Sequence, residues 1–125
     1  PLLNSHKSAK HPLHLLSFLV DIGLQADDTG MPALIANILS HQSQQGPFQV
    51  LMNISPQFGG SGEDTFAWAL CDAPLLLYCL VKLGISDDER VQAALLHLLG
   101  LLRDNRWPCA VSPELGSWHG PVSGG

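Results

Sequence analysis

Charge is scarce in this chain of 125 residues, of which 14% are Asp, Glu, Lys or Arg, against roughly 25% in an ordinary soluble domain. What charge there is leans acidic: eleven acids against six bases give a net −5. No window gathers several bases. Nucleic acid binding draws most of its affinity from Lys and Arg neutralising phosphates, so no nucleic acid partner is expected, and an anionic membrane surface is disfavoured on the same ground. Long apolar runs are missing too. The longest, Ala73 to Val81 and Ala93 to Leu102 with His97 inside it, fall far short of the roughly 18 residues of a membrane span. Aromatics reach only 6%. With 46% hydrophobic residues, twelve glycines and nine prolines, the composition excludes disorder, a collagen-like fibre and a coiled coil. Cysteine is sparse as well. Cys71, Cys79 and Cys109 cannot all pair, and no signal-peptide pattern is read, so the expected compartment is a reducing cytoplasm. Neither terminus, Pro1-Leu2-Leu3 or Ser123-Gly124-Gly125, reads as a finished domain boundary, so a fragment or a chain with a replaced tail is the expectation.

Leucine supplies what is present. Leu13, Leu16, Leu19 and Val20 recur at helical spacing, with Pro12 in the first turn and Gly23 at the C-terminal cap. A second helix is expected from Asp27 to about Gln42, capped by Asp27 or Asp28, provided that Pro32 lies in its first turn. Gln45 to Glu63 reads as a loop with a short helix near Val50 to Ile54, because it carries Pro47, Pro56 and Gly59-Gly60-Ser61-Gly62. Asp64 to Leu83 reads as a third helix kinked at Pro74, apolar nearly all round in its second half. Ser86-Asp87-Asp88-Glu89 matches a capping box for a fourth helix running to about Arg103. The expected fold is all-α, a stack of antiparallel helical hairpins.

Those hairpins repeat. Displacing the chain by 61 residues lays His14–Phe48 on Leu75–Cys109, with nine identities, among them Gly23/Gly84, Asp27/Asp88 and Pro47/Pro108 at turn positions. A single domain follows, with repeat 1 at about 11–48, a linker at 49–63, repeat 2 at about 64–109 and a C-terminal loop at 110–125. Two such hairpins rarely cover each other's apolar faces. Self-association, or further hairpins from a longer chain, is therefore expected.

Gln42-Ser43-Gln44-Gln45-Gly46-Pro47-Phe48 is a Gln-x-x-x-Gly-x-Phe string. It resembles the Gln-x-x-x-Gly-x-Trp repeat of squalene and oxidosqualene cyclases. Arg103-Asp104-Asn105-Arg106-Trp107-Pro108-Cys109 is a degraded second copy, with Arg103 in place of Gln and Trp107 in place of Gly. The turn Leu83-Gly84-Ile85-Ser86-Asp87-Asp88 is similar to hairpin turns of the prenyltransferase and terpene-cyclase α/α-toroid superfamily. Trp68 to Pro74 and Trp107 to Gly116 look like a bacterial branch of it. The resemblance implies part of a ring of helices around an apolar cavity, in a superfamily whose active members process isoprenoids. The cyclases' Asp-x-Asp-Asp acid is absent. Asp27-Asp28 and Asp87-Asp88 lack its first carboxylate and stand where helix caps belong.

The resemblance implies the prenyltransferases' zinc set of Asp, Cys and His; Cys71-Asp72, Cys109 and His119 supply those residue types, with Cys109 and His119 the foremost pair because both lie in loops, and thiolate and imidazole both suit zinc. Their spacing matches no compact zinc motif, so no cofactor is expected. Cys71 and Cys79 read as small buried hydrophobes. His6, His11, His14 and His41 read as surface residues. The 59–62 glycine run could cradle a phosphate only at the start of a helix, and Glu63 and Asp64 would repel the anion. Trp68, Tyr78, Trp107 and Trp118 are candidates to line an apolar ligand pocket or to pack hairpin on hairpin. Catalytic residues are not identified. The expected function is a non-catalytic scaffold or a module binding a hydrophobic ligand or partner. The alternative is a fragment or subunit of an isoprenoid-processing enzyme.

Overall fold

A computed structural model describes residues 11–104, 106–107 and 110–115. Its helices are α1 (Pro12–Asp21), α2 (Met31–Ser40), α3 (Ala73–Lys82) and α4 (Glu89–Gly100). Between α2 and α3 lie two short strands, β1 (Val50–Met52) and β2 (Thr65–Ala67). They pair antiparallel, Val50 opposite Ala67, Leu51 opposite Phe66 and Met52 opposite Thr65.

Prolines set the helix starts. Pro12, Pro32 and Pro74 all fall in first turns, where the missing N–H has no intrahelical partner to lose. α1 is capped by an imidazole: Nδ1 of the buried His11 accepts from the Leu13 N–H at 3.1 Å. Asp88 caps α4, its Oδ1 accepting from the Arg90 N–H at 2.8 Å. The ends of α1 and α3 match. Gly23 (φ 117°) and Gly84 (φ 87°) are left-handed, and the next N–H bonds back five residues, Leu24 to the Leu19 carbonyl at 2.9 Å and Ile85 to the Leu80 carbonyl at 3.2 Å. That closure satisfies carbonyls the helix end would otherwise orphan.

α3 occupies the centre, packed against α1 on one side and α4 on the other. Cys79 and Leu80 are fully buried there, with Leu76 and Leu77 facing Leu13, Leu16 and Val20 in one continuous core. Each such aliphatic side chain contributes roughly 1.5–3 kcal/mol on burial. Val91, Ala94 and Leu98 of α4 close the other flank.

The strands correct the expected fold class. Four helices plus a two-stranded antiparallel sheet make the described chain mixed α/β, not an all-α stack of hairpins resembling part of a toroid. Val50-Leu51-Met52 is an extended strand instead of a short helix. The third helix does not begin at Asp64, because Thr65 and Phe66, with β-branched and aromatic side chains, run as β2. Pro74 then opens a helix instead of kinking one. Residues 53–64 make the connection. The Asn53 side-chain amide donates to the Gly62 carbonyl and to Asp64 Oδ1, both at 3.0 Å, and the Gly62 N–H donates to the Ile54 carbonyl at 2.9 Å. Beyond β2 the chain adds a further pairing, Ser112 N–H to the Trp68 carbonyl and Leu70 N–H to the Ala110 carbonyl, each at 2.8 Å.

Two caps differ from expectation as well. α2 starts at Met31 behind the left-handed Gly30, while Asp28 Oδ2 accepts from the Gln25 N–H at 2.7 Å in the preceding turn. Ser86 does not cap α4; Asp88, two residues later, has the extended backbone a cap requires. Arg90 binds both Asp88 oxygens, at 3.0 and 2.8 Å. Those hydrogen bonds hold the carboxyl down at about 2, so the cap is charged at neutral pH.

The turn between α2 and β1 ties the two halves together. The Ser43 N–H and Oγ both donate to the Pro47 carbonyl, at 2.9 and 2.6 Å, and the Gln49 N–H donates to the His41 carbonyl at 2.8 Å. The Gln42 side-chain amide donates to the Gly46 carbonyl and to the Arg90 carbonyl on α4, both at 2.9 Å. Gly46 (φ 123°) lies so close to α4 that a Cβ there would sit 2.9 Å from the Ala93 carbonyl oxygen.

Asp88→Ala is expected to lower the thermal midpoint by about 5 °C, with Ser86→Ala leaving it within a degree or so of the parent, both read by circular dichroism melting. Gly46→Ala adds backbone strain to a clash and is expected to cost roughly 2 kcal/mol or more in urea unfolding.

Candidate functional site

An opening onto apolar surface lies between α1, α2 and the sheet. It is a cavity of about 290 Å³. α1 presents Leu13 and Leu16 to it, α2 presents Leu34 and Ile38, β1 presents Val50 and Leu51, and Leu76 of α3 forms the floor. The spacing explains the wall. Positions 13 and 16 lie one turn apart on α1, as 34 and 38 do on α2. Alternation along β1 would turn Val50 and Leu51 to opposite faces, but both border the cavity, since it wraps the sheet's edge.

Polar groups gather on one side. Asn37 on α2 and His41 at its C-cap stand one turn apart, and Gln49 is brought beside His41 by the backbone bond across the intervening turn. The His41 ring stacks on Phe66 of β2, centroids 4.1 Å apart and planes 6° from parallel. His11, the α1 cap, also borders the cavity, its ring edge-on to His14 at 6.2 Å. Because His11 Nδ1 accepts a hydrogen bond, the neutral ring carries its proton on Nε2.

The aromatic residues singled out in the sequence lie elsewhere. Trp68 is buried behind β2, its Nε1 donating to Gln45 Oε1 at 3.1 Å and its ring edge-on to His97 at 5.4 Å. Tyr78 is exposed on α3 and donates its hydroxyl to Asp21 Oδ1 at 2.5 Å. That bond to a carboxylate raises the phenol above its ordinary value. Half-exposed Trp107 donates from Nε1 to the Leu98 carbonyl at 2.9 Å near the end of α4. None of the three borders the cavity. They anchor segments to one another. Trp118, Cys109 and His119 lie outside the described residues.

Among the described residues no group of three His, Cys, Asp or Glu side chains could hold a metal ion. Cys79 is buried as expected, and desolvation pushes its thiol up to about 11. Cys71 is exposed instead. The 59–62 run precedes a strand, not a helix, so it offers no helix N-terminus to a phosphate.

Asn37 carries no signal of its own in the sequence, and His11 and His41 read there as surface residues. In the structure His11 is buried and His41 half-buried. The available signal was the spacing of Asn37 and His41, four apart on the polar side of an otherwise apolar helix. Phe66 and Gln49 could not be placed without the strand pairing. No protein-family model, curated protein or solved structure matches this chain. The cavity's chemistry rests on its own residues.

The buried, uncharged thiol sets an expected outcome. Iodoacetamide at pH 8 should leave Cys79 unmodified in the native chain and alkylate it in denaturant, read by peptide mass spectrometry.

Proposed function

We propose that this chain is a non-catalytic binding module that holds a small apolar molecule between α1, α2 and the β1–β2 sheet. The observation that carries this reading is the cavity itself, about 290 Å³ and walled chiefly by Leu, Ile, Val and Phe. Pockets of that kind, concave, mainly apolar and edged by a few polar groups, are the usual form of small-molecule sites. Cysteine, serine, aspartate and glutamate are missing from its described lining, which favours binding over nucleophilic or carboxylate chemistry.

A size-matched probe tests this. An apolar cavity of about 150 Å³ accepts benzene, so naphthalene suits a space about twice as large. Titration with naphthalene should give saturable one-to-one shifts in the methyl resonances of Leu13, Leu16, Ile38 and Leu51. Ile38→Trp, which fills the space with an indole, should remove them while the chain stays folded. Shifts that never saturate, or that spread over other methyl groups, would refute the binding reading.

A second reading has its own observation. Leu15, Phe18, Leu19 and Ile22 form an exposed stripe along α1, with Phe18 60% and Ile22 65% exposed. A stripe at this spacing is the seam by which helices pair, and it supports self-association. Phe18→Glu is expected to shift the sedimentation coefficient from dimer to monomer; a parent chain that sediments as a monomer at all concentrations would remove this reading.

A further inference from the structure

We infer that the cavity between α1, α2 and the sheet selects an uncharged two-ring molecule bearing a hydroxyl or comparable hydrogen-bonding group, which the side chains of Asn37, His41 and Gln49 recognise at the rim. The inference rests on the binding reading above and adds the chemistry of the ligand.

Three observations carry it. The first is size: about 290 Å³ is about twice the space that accepts a single benzene ring. The second is the rim. Asn37, His41 and Gln49 border the cavity together, and among the described residues none of their side chains donates or accepts a hydrogen bond. The Asn37 carbonyl accepts from the Ser40 hydroxyl and the His41 carbonyl from the Gln49 N–H, bonds that fix where these residues stand. The His41 ring is held flat against Phe66 at 4.1 Å, so its edge nitrogens stay in place. A ligand that covers this rim displaces the water on the three polar groups. A molecule able to bond them restores what is lost, and a purely hydrocarbon one leaves them unpaired.

The third observation is charge. No lysine or arginine belongs to the described lining, and the chain carries a net −5. A carboxylate entering this apolar space would give up its hydration without gaining a fixed cation. A hydroxyl meets no such penalty.

The test compares naphthalene, 2-naphthol and 2-naphthoate with the full chain at pH 8, by methyl NMR titration. 2-Naphthol is expected to bind about tenfold or more tighter than naphthalene, and 2-naphthoate weaker than 2-naphthol. Asn37→Ala and, as an independent variant, Gln49→Ala should each lower the ratio of 2-naphthol to naphthalene affinity toward one. Equal binding of naphthalene and 2-naphthol would overturn rim recognition while leaving the apolar module standing. Tightest binding by 2-naphthoate would overturn the uncharged class. Saturable binding by none of the three would bring down the module reading together with this one.

Discussion

The close approach of the Gly46 backbone to α4 is the constraint on which the remaining arrangement hangs. Only a residue without a Cβ fits there in that left-handed conformation, since a Cβ would stand 2.9 Å from the Ala93 carbonyl oxygen. With Gly46 seated, the Gln42 amide reaches the Arg90 carbonyl, and the Ser43–Pro47 turn closes. The turn then returns the chain beside α2, placing Gln49 next to His41 and β1 beneath Ile38. Trp68 adds a second tie through Gln45. The α2 and β1 walls of the cavity thus depend on this loop.

The core and the cavity divide the apolar surface between them. α3 is covered on both flanks and supplies most of the dense packing, whereas α2 buries only Met31, Ile35 and Leu39. Leu34 and Ile38 of α2 are left facing open space. A well-packed interior has few voids larger than a water molecule. A space of this size with an apolar wall therefore stands out against the packing around α3, and it lies where the sheet holds α2 away from α1.

Helices were legible in the sequence because their signals are local. Gly23 and Gly84 mark α-helix ends by the turn they permit, and Pro12 and Pro32 mark starts, whereas Pro74 reads as a kink until β2 takes up the residues before it. The strands were not legible. Each is three residues long, too short for an alternating pattern, and Phe66-Ala67-Trp68-Ala69-Leu70 reads as readily helical as extended. The cap at Asp88 was obscured because Ser86 two residues earlier satisfies the same local rule. Cavity residues were hidden for a different reason. Gln49 and Phe66 acquire a role only through the β1–β2 register and the His41 stack, contacts that no local spacing encodes.

The central claim is that the space between α1, α2 and the sheet is a real, accessible apolar cavity. A crystal structure of the chain under xenon pressure tests it most directly, since xenon enters apolar cavities and its anomalous scattering locates it without a trial ligand. A xenon atom in van der Waals contact with Leu16, Ile38 and Leu51 is expected. Side chains collapsed into that space, with xenon bound elsewhere or not at all, would contradict it.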